Sequence, residues 1–233
     1  MKLRIDPIIF EKFIGVNIGV VVAKGVDNST GKFPGLEMGK TEERIREKFT
    51  LESLIKDPRI DCWRKAYSAF GAKPKEHTPS IENLYRTALN GSGIRSVNKL
   101  VDIYNFVSIK HILPAGGEDL DKIEGDIHLA FAGPNEPPVV LLGEKEARPP
   151  HPNEVIYKDE VSAICRRWNW KEADRTKLTK ETKNCILVLE GISPITENDV
   201  RIALEELKGL VERFCGGRAY YNLLNRRSNE IIV

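Results

Sequence analysis

The stretch Ser96–Ile123, SVNKLVDIYNFVSIKHILPAGGEDLDKI, constrains the fold more than any other part of the chain. It opens with a helix-starting serine and keeps helical spacing to His111. It breaks at Pro114 and passes through Gly116-Gly117 into an acidic turn. Asn98, Asp102 and Asn105 recur at spacings of four and three, which puts their side chains near one another on one side of the helix. Such a polar stripe on an apolar helix is either a hydrogen-bonded structural device or the wall of a small-molecule pocket. Asp102 has a plain structural use in holding a neighbouring backbone amide or pairing with Arg95. Asn105, deeper in the helix, needs a partner if it is buried.

The flanking patterns define the class. Residues 2–24 alternate and then run apolar, which predicts two or three strands. A turn-rich piece, Gly25–Gly35, leads into charged helical sequence from about Leu36 to Ile55. A second helix follows over Pro58–Phe70, with Trp63, Ala66, Tyr67 and Phe70 on its inner side, and a third starts at Thr78-Pro79-Ser80. After Gly117 the pattern becomes strands: Ile127–Phe131, Val139–Leu142, Val155–Tyr157, Val161–Cys165 and Cys185–Leu189. A last helix, Thr196–Phe214, is capped by Thr196 and stopped by Gly216-Gly217. The expectation is an α+β protein: a β-sandwich or barrel-like sheet core with flanking helices. Residues 1–75 read as an N-terminal strand-and-helix part packed on a core of 76–217, with 218–233 as a C-terminal tail.

Composition narrows the function classes. With 41% hydrophobic and 30% charged residues in 233, the chain has the make-up of a globular protein. A net charge of +2 is too small for nucleic-acid binding through the overall field, so any such contact must come from local clustering, and DNA is not an expected partner. Four scattered cysteines, without a Cys-x-x-Cys pair, favour neither zinc nor disulfides. His77, His111, His128 and His151 lack carboxylate partners at ligand spacing, so no metal and no cofactor is expected, although His111 stands close enough to the polar helix to approach a pocket. The apolar run Phe13–Ala23 is too short to cross a bilayer, and no signal-peptide pattern is seen; the expected location is cytoplasmic, with no membrane partner.

Local clustering occurs at Ser162–Asn184, SAICRRWNWKEADRTKLTKETKN, where basic residues outnumber acidic ones. Arg166, Arg167, Lys171 and Arg175 beside Trp168 and Trp170 are the groups that hold phosphate and stack on a base, if the tryptophans are exposed. The competing reading is a pair of core or rim tryptophans flanked by solvated charges.

The order Asn98, Val101-Asp102, Asn105, Pro114, Asp119 and Leu120-Asp121-Lys122-Ile123, followed by Thr179, Glu181-Thr182 and Asn184 before an apolar strand, resembles the B3/B4 editing module of bacterial-type phenylalanyl-tRNA synthetase β subunits. The likeness covers about Thr78 to Phe214. In those enzymes the module hydrolyses tyrosine wrongly attached to phenylalanine tRNA. The resemblance therefore implies recognition of the aminoacyl end of tRNA, with hydrolysis of a mischarged ester as the sharper expectation. A non-catalytic module for tRNA or a small amino acid is the alternative. Synthetase motifs are not visible, and the oligomeric state is left open.

Two departures from the family pattern mark the pocket. Gly116 stands where the synthetases carry a histidine, and residues 166–174 replace the glycine-rich loop that bears their editing glutamate. By resemblance, Asp174 and then Glu172 are the candidate water-orienting carboxylates, with Glu118 behind them. Asn98, Asp102, Asn105, Gly116, Glu118, Asn169 and Thr179 are the candidate substrate contacts. Arg166, Arg167, Trp168, Lys171 and Arg175 are the candidate RNA contacts.

Overall fold

The longest buried strand fixes the centre of the molecule. In the computed structural model, which describes residues 1–29, 33 and 35–233, Asn17–Lys24 is buried at every position but its last. Such a strand needs cover on both faces. The elements run β1 (Lys2–Ile5), α1 (Pro7–Lys12), β2 (Asn17–Lys24), α2 (Gly35–Lys48), α3 (Leu51–Leu54), α4 (Pro58–Ala69), α5 (Ser80–Leu89) and α6 (Lys99–His111). After α6 come β3 (Ala115–Asp119), a 3-10 turn over Leu120–Lys122, β4 (Ile127–Phe131), β5 (Val155–Lys158), β6 (Ala163–Arg166), β7 (Lys171–Glu172) and β8 (Asn184–Gly191). The chain finishes with α7 (Glu197–Cys215), β9 (Arg218–Leu224) and β10 (Glu230–Ile232).

The strands form two sheets, in the orders β10-β1-β4-β5-β6-β7 and β3-β8-β2-β9. Pairing is antiparallel except between β1 and β4. The α+β expectation holds, with sheets from both halves of the chain and helices packed around them. Residues 2–24 and 218–232 supply strands to both sheets. α7 lies on β2 so closely that a Cβ at Gly19 would stand 2.7 Å from Leu204, which is why glycine occupies that position. Among the described residues no helix is long and apolar enough to cross a membrane.

Local differences from the sequence reading have physical causes. Helix α6 starts at Lys99 because Asn98, not Ser96, takes the cap: its side chain accepts from the Val101 N–H at 3.1 Å. Residues 7–12 form a helix opened by Pro7 at its first turn, within a segment whose apolar residues suggest strands. Gly116 and Gly117 lie inside β3 instead of in a turn, paired with Val188 and Leu187 of β8. A Cβ on Gly117 would stand 2.5 Å from the Leu187 side chain, so this strand has room only for glycine there. Residues 139–142 make isolated bridges from Val139 to Arg148 and from Leu141 to Ala173 in place of a strand. The charged helix after Gly35 breaks before Thr50, whose capping box with Ser53 restarts it as α3. The turn-rich stretch 25–35 lies partly outside the described residues.

Candidate functional site

Between the two sheets lies a cavity of about 320 Å3, lined by β3, β6, β7 and β8, with α5 and α6 along its side. Its walls are mostly apolar, from Leu3, Tyr104, Ile127, Tyr157, Ile164, Trp168 and Ile186. Three glutamates interrupt them: Glu118 on β3, Glu172 on β7 and Glu190 on β8. An apolar hollow with a few convergent polar groups is the usual form of a small-ligand site, and this volume is at the small end of the range.

The loop between β6 and β7 sets the arrangement. Arg167 and Trp168 both have positive φ, +49° and +65°, a conformation that costs non-glycine residues energy and is kept where the surroundings enforce it. The Trp168 N–H donates to the Val155 carbonyl at 2.6 Å and the Trp170 N–H to the Arg166 carbonyl at 3.1 Å. This tight turn sends Trp168 inward, fully buried, edge-on to Trp63 at 5.1 Å and to Phe13 at 4.8 Å. Asn169 then bridges core and cavity: its Oδ1 accepts from the Tyr67 hydroxyl at 2.8 Å, and its Nδ2 donates to Glu190 Oε2 at 2.6 Å. Tyr157 donates to the other Glu190 oxygen at 2.6 Å. Burial raises the Glu190 carboxyl to about 7, in spite of these two bonds to its charged form.

Glu172 and Glu118 are less well served. Burial lifts Glu172 to about 7, and the Gly117 N–H, donating to Oε1 at 3.0 Å, offsets only part of that. Glu118 is pushed well above the usual carboxylate range, first by burial and then by the charge of Glu172. No hydrogen bond of acceptable geometry reaches either Glu118 oxygen among the described residues, and its Oε2 is a buried atom without a partner. The Thr176 hydroxyl is near enough to ease the Glu118 charge but is itself unpartnered. Gly116 stands on the same wall; a Cβ there would come 3.0 Å from Glu172 Oε1, so the glycine leaves space for the carboxylate.

The residues singled out from the sequence divide cleanly. Asn105, Gly116, Glu118, Asn169, Trp168, Lys171 and Glu172 line the cavity. Asn98, Asp102 and Thr179 do not: Asn98 caps α6 and donates to the Leu178 carbonyl, and Thr179 builds the turn with Glu181 and Thr182. Asp102 accepts from the Val97 N–H at 2.9 Å and the Ser96 hydroxyl at 2.5 Å. Asp174 stands outside the cavity, paired with Lys177 at 2.6 Å and half-exposed. Arg166 is buried and holds Glu154 through two bonds, at 2.9 and 2.8 Å. Arg167 stacks on Trp170 at 4.3 Å, and Lys171 lies over the same ring while pairing with Glu144. Arg175 is tied to Asp159 and to the Lys122 carbonyl. His111 pairs with Glu206 at 2.7 Å and does not line the cavity.

Sequence reasoning missed Glu190, Tyr157 and Tyr104. Glu190 carried a readable signal, an acidic residue at the end of the apolar run Cys185–Leu189, where a strand is buried on both faces. The tyrosines carried none, since their positions are ordinary core positions.

Comparison with known proteins places this geometry. The family model of the B3/4 domain matches residues 62–216. The chain is 26% identical to the phenylalanine–tRNA ligase β subunit of Fusobacterium nucleatum over 167 residues, covering 72% of this chain and 20% of that protein. It is 31% identical to the same subunit of Psychrobacter arcticus over 137 residues, 55% of this chain and 17% of that one. An N-terminal fragment of the phenylalanyl-tRNA synthetase β subunit from Pyrococcus horikoshii superposes with a TM-score of 0.46 at 13% identity, covering 96% of this chain and 54% of that one. The chain thus spans a fifth or less of the curated relatives it matches. The family match, running from within α4 to the end of α7, takes in most of the cavity wall and well over half of the sequence, and the protein belongs to the B3/4 domain family.

Proposed function

We propose that the cavity receives the aminoacyl group at the 3′ end of a tRNA and that Glu172 orients the water that cleaves its ester. Membership in the B3/4 family supports a tRNA-related role. The observation that carries the chemical step is a carboxylate on the cavity wall whose Oε1 is held by the Gly117 N–H at 3.0 Å while its Oε2 has no hydrogen bond among the described residues; its proton affinity, raised to about 7, suits a general base near neutral pH. Water attacks the acyl carbon as its proton passes to Glu172, and the carbonyl oxygen takes up the negative charge. Collapse breaks the acyl–oxygen bond, and the proton goes to the ribose oxygen, leaving free amino acid and uncharged tRNA. Asn105 on α6 and the unpartnered Ser80 hydroxyl, both on the wall, are available donors for the oxyanion. At the rim, the half-buried Trp170 with Arg167 stacked on it offers a surface for a terminal base.

A panel of mischarged tRNAs, including tyrosine, phenylalanine and non-protein amino acids, tests this. Purified protein should release at least one amino acid well above the uncatalysed rate. Glu172→Gln should slow that release by roughly a hundredfold or more with unchanged circular dichroism. Intact esters across the whole panel would end the hydrolytic reading. One observation favours the second reading, a non-catalytic binding module: Glu172 Oε1 is already engaged by the Gly117 N–H. In that case the mischarged tRNA shifts in mobility, with strong salt dependence, and stays charged.

A further inference from the structure

We infer that Glu118, with Glu172 beside it, is a seat for an ammonium group in a cavity that turns away carboxylates, so the site takes amines and aminoacyl esters or amides but not free amino acids. This rests on the aminoacyl reading only in naming the ester; the preference for a masked carboxyl follows from the cavity's own charges.

Glu118 is 7% exposed and lines the cavity, and its buried Oε2 receives no well-formed hydrogen bond, the Thr176 hydroxyl lying near it without completing one. Native structures rarely leave a buried acceptor of this kind empty, and an unpartnered one at the wall of a hollow marks where a donor is expected. Glu172 places Oε1 on the Gly117 N–H, and its Oε2 has no hydrogen bond among the described residues. An ammonium group offers three donors and one positive charge in a compact head, which matches two neighbouring carboxylates with open acceptor sites.

The cations of this region are engaged elsewhere: Arg167, at the rim, lies over Trp170 at 4.3 Å and 3.9 Å from Glu154. Lys171, on the cavity rim, is held by Glu144 at 2.9 Å and lies over Trp170. Arg175, whose charge reaches Glu118, is fixed by Asp159 at 2.7 Å and the Lys122 carbonyl at 2.9 Å. The third glutamate, Glu190, has both oxygens occupied, by Tyr157 and Asn169. A free amino acid entering this cavity brings a carboxylate into a wall of three glutamates and finds no unpaired cation on the lining among the described residues. An ester or amide carries the same ammonium without that charge. Hydrolysis would therefore convert a welcome ligand into a repelled one, and product would leave as it forms.

The test is titration calorimetry at pH 8 on the full chain. The probes are the carboxamides of alanine, leucine, phenylalanine, tyrosine and lysine, their free acids, and their N-acetyl carboxamides. At least one carboxamide should bind ten times or more tightly than both its free acid and its N-acetylated form. Glu118→Gln, an isosteric change that removes an unpaired buried charge, should fold with an unchanged or higher melting temperature and lose that preference. Equal affinity for free acid and carboxamide overturns the inference, as does equal affinity for the N-acetylated form or a panel in which nothing binds at millimolar concentration. The outcomes separate from those of the deacylation panel. Intact mischarged tRNAs with a retained carboxamide preference remove only the tRNA reading, whereas cleaved esters with equally tight free acids remove only this one.

Discussion

Two groups of buried charge stand on either side of one hairpin, and they are built on opposite principles. On one side Arg166 and Glu154, 4% and 3% exposed, face each other through paired hydrogen bonds, and Glu154 also accepts the Arg167 N–H at 3.0 Å. Burial alone would raise the Glu154 carboxyl, but the guanidinium more than reverses that and the net shift is downward. On the other side Glu118, Glu172 and Glu190 share a cavity wall that has no unpaired cation among the described residues, and all three carboxyls are raised. The first arrangement is complete without a ligand. The second carries a cost that hydrogen bonds from Tyr157, Asn169 and Gly117 offset in part and that a proton or a bound cation would relieve further, an arrangement more typical of a site than of a scaffold.

The comparison breaks most visibly if one member of the completed pair is removed. Glu154→Gln leaves Arg166 buried without its counter-charge and should destabilise the fold by roughly 3–5 kcal/mol, read by urea or thermal unfolding. A loss under about 1 kcal/mol would show that Arg166 finds water or another acceptor, and that the contrast between the two groups is weaker than their geometry.

The unpaired group should respond to pH with the opposite sign. Glu172 and Glu190 hold protons to about 7 in the folded protein, against an ordinary value of 4.5. Between those values the folded state binds more protons than the unfolded one, so their contribution to stability falls as pH rises from 4.5 to 7 and is level beyond. The full penalty for Glu172 is roughly 3 kcal/mol. Sharing the cavity lining with it are Glu118 from β3, Tyr104 from α6, Cys165 from β6 and Glu190 from β8, none of which supplies a positive charge, and Lys171, whose charge is paired with Glu144 at 2.9 Å. Glu172→Gln should therefore stabilise the protein at pH 8 and change little at pH 4.5, with stability followed by denaturant unfolding across that range. Glu154 behaves in reverse: its contribution is present above the ordinary carboxylate value and is lost as pH falls through its lowered one. A mutant that is no more stable than wild type at pH 8 would mean that Glu172 is already neutralised in solution.

Much of this molecule was legible beforehand, and the boundary of legibility is physical. Alternation found most of the strands, and helical spacing found the buried side of α4, where Trp63, Ala66 and Tyr67 are interior. Thr196 caps α7 and Gly216 stops it, as cap chemistry requires. Strand β3 was hidden because a strand containing Gly116 and Gly117 has no propensity signal; close packing against β8 makes it. The residues that carry the family resemblance turn out to be largely a hydrogen-bond framework. Asp119 accepts from the Thr182 hydroxyl at 2.6 Å, Asp121 from the Asn184 amide at 2.9 Å, and Asn98 ties α6 to Leu178. That framework locks the 3-10 turn and α6 to the turn before β8, and so holds the cavity walls in place. A recurring polar motif thus reports architecture, while the carboxylates at the cavity come from positions whose neighbours in sequence are unremarkable.

The finest discrimination lies within the loop itself, between Asp174 and Glu172, which a sequence reading ranks in that order and the cavity ranks in reverse. Asp174 is bonded to Lys177 at 2.6 Å on a half-exposed surface, the kind of pair whose removal shifts stability by about 0.5 kcal/mol or less. If the chemistry belongs to the cavity, Asp174→Ala should leave ester release within about twofold of wild type, an amount typical of no lost contact in the transition state. The same assay on Glu172→Gln supplies the opposite pole. Should Asp174→Ala abolish release while Glu172→Gln retains it, the water would have to be activated outside the hollow. The uncompensated carboxylates would then serve binding alone.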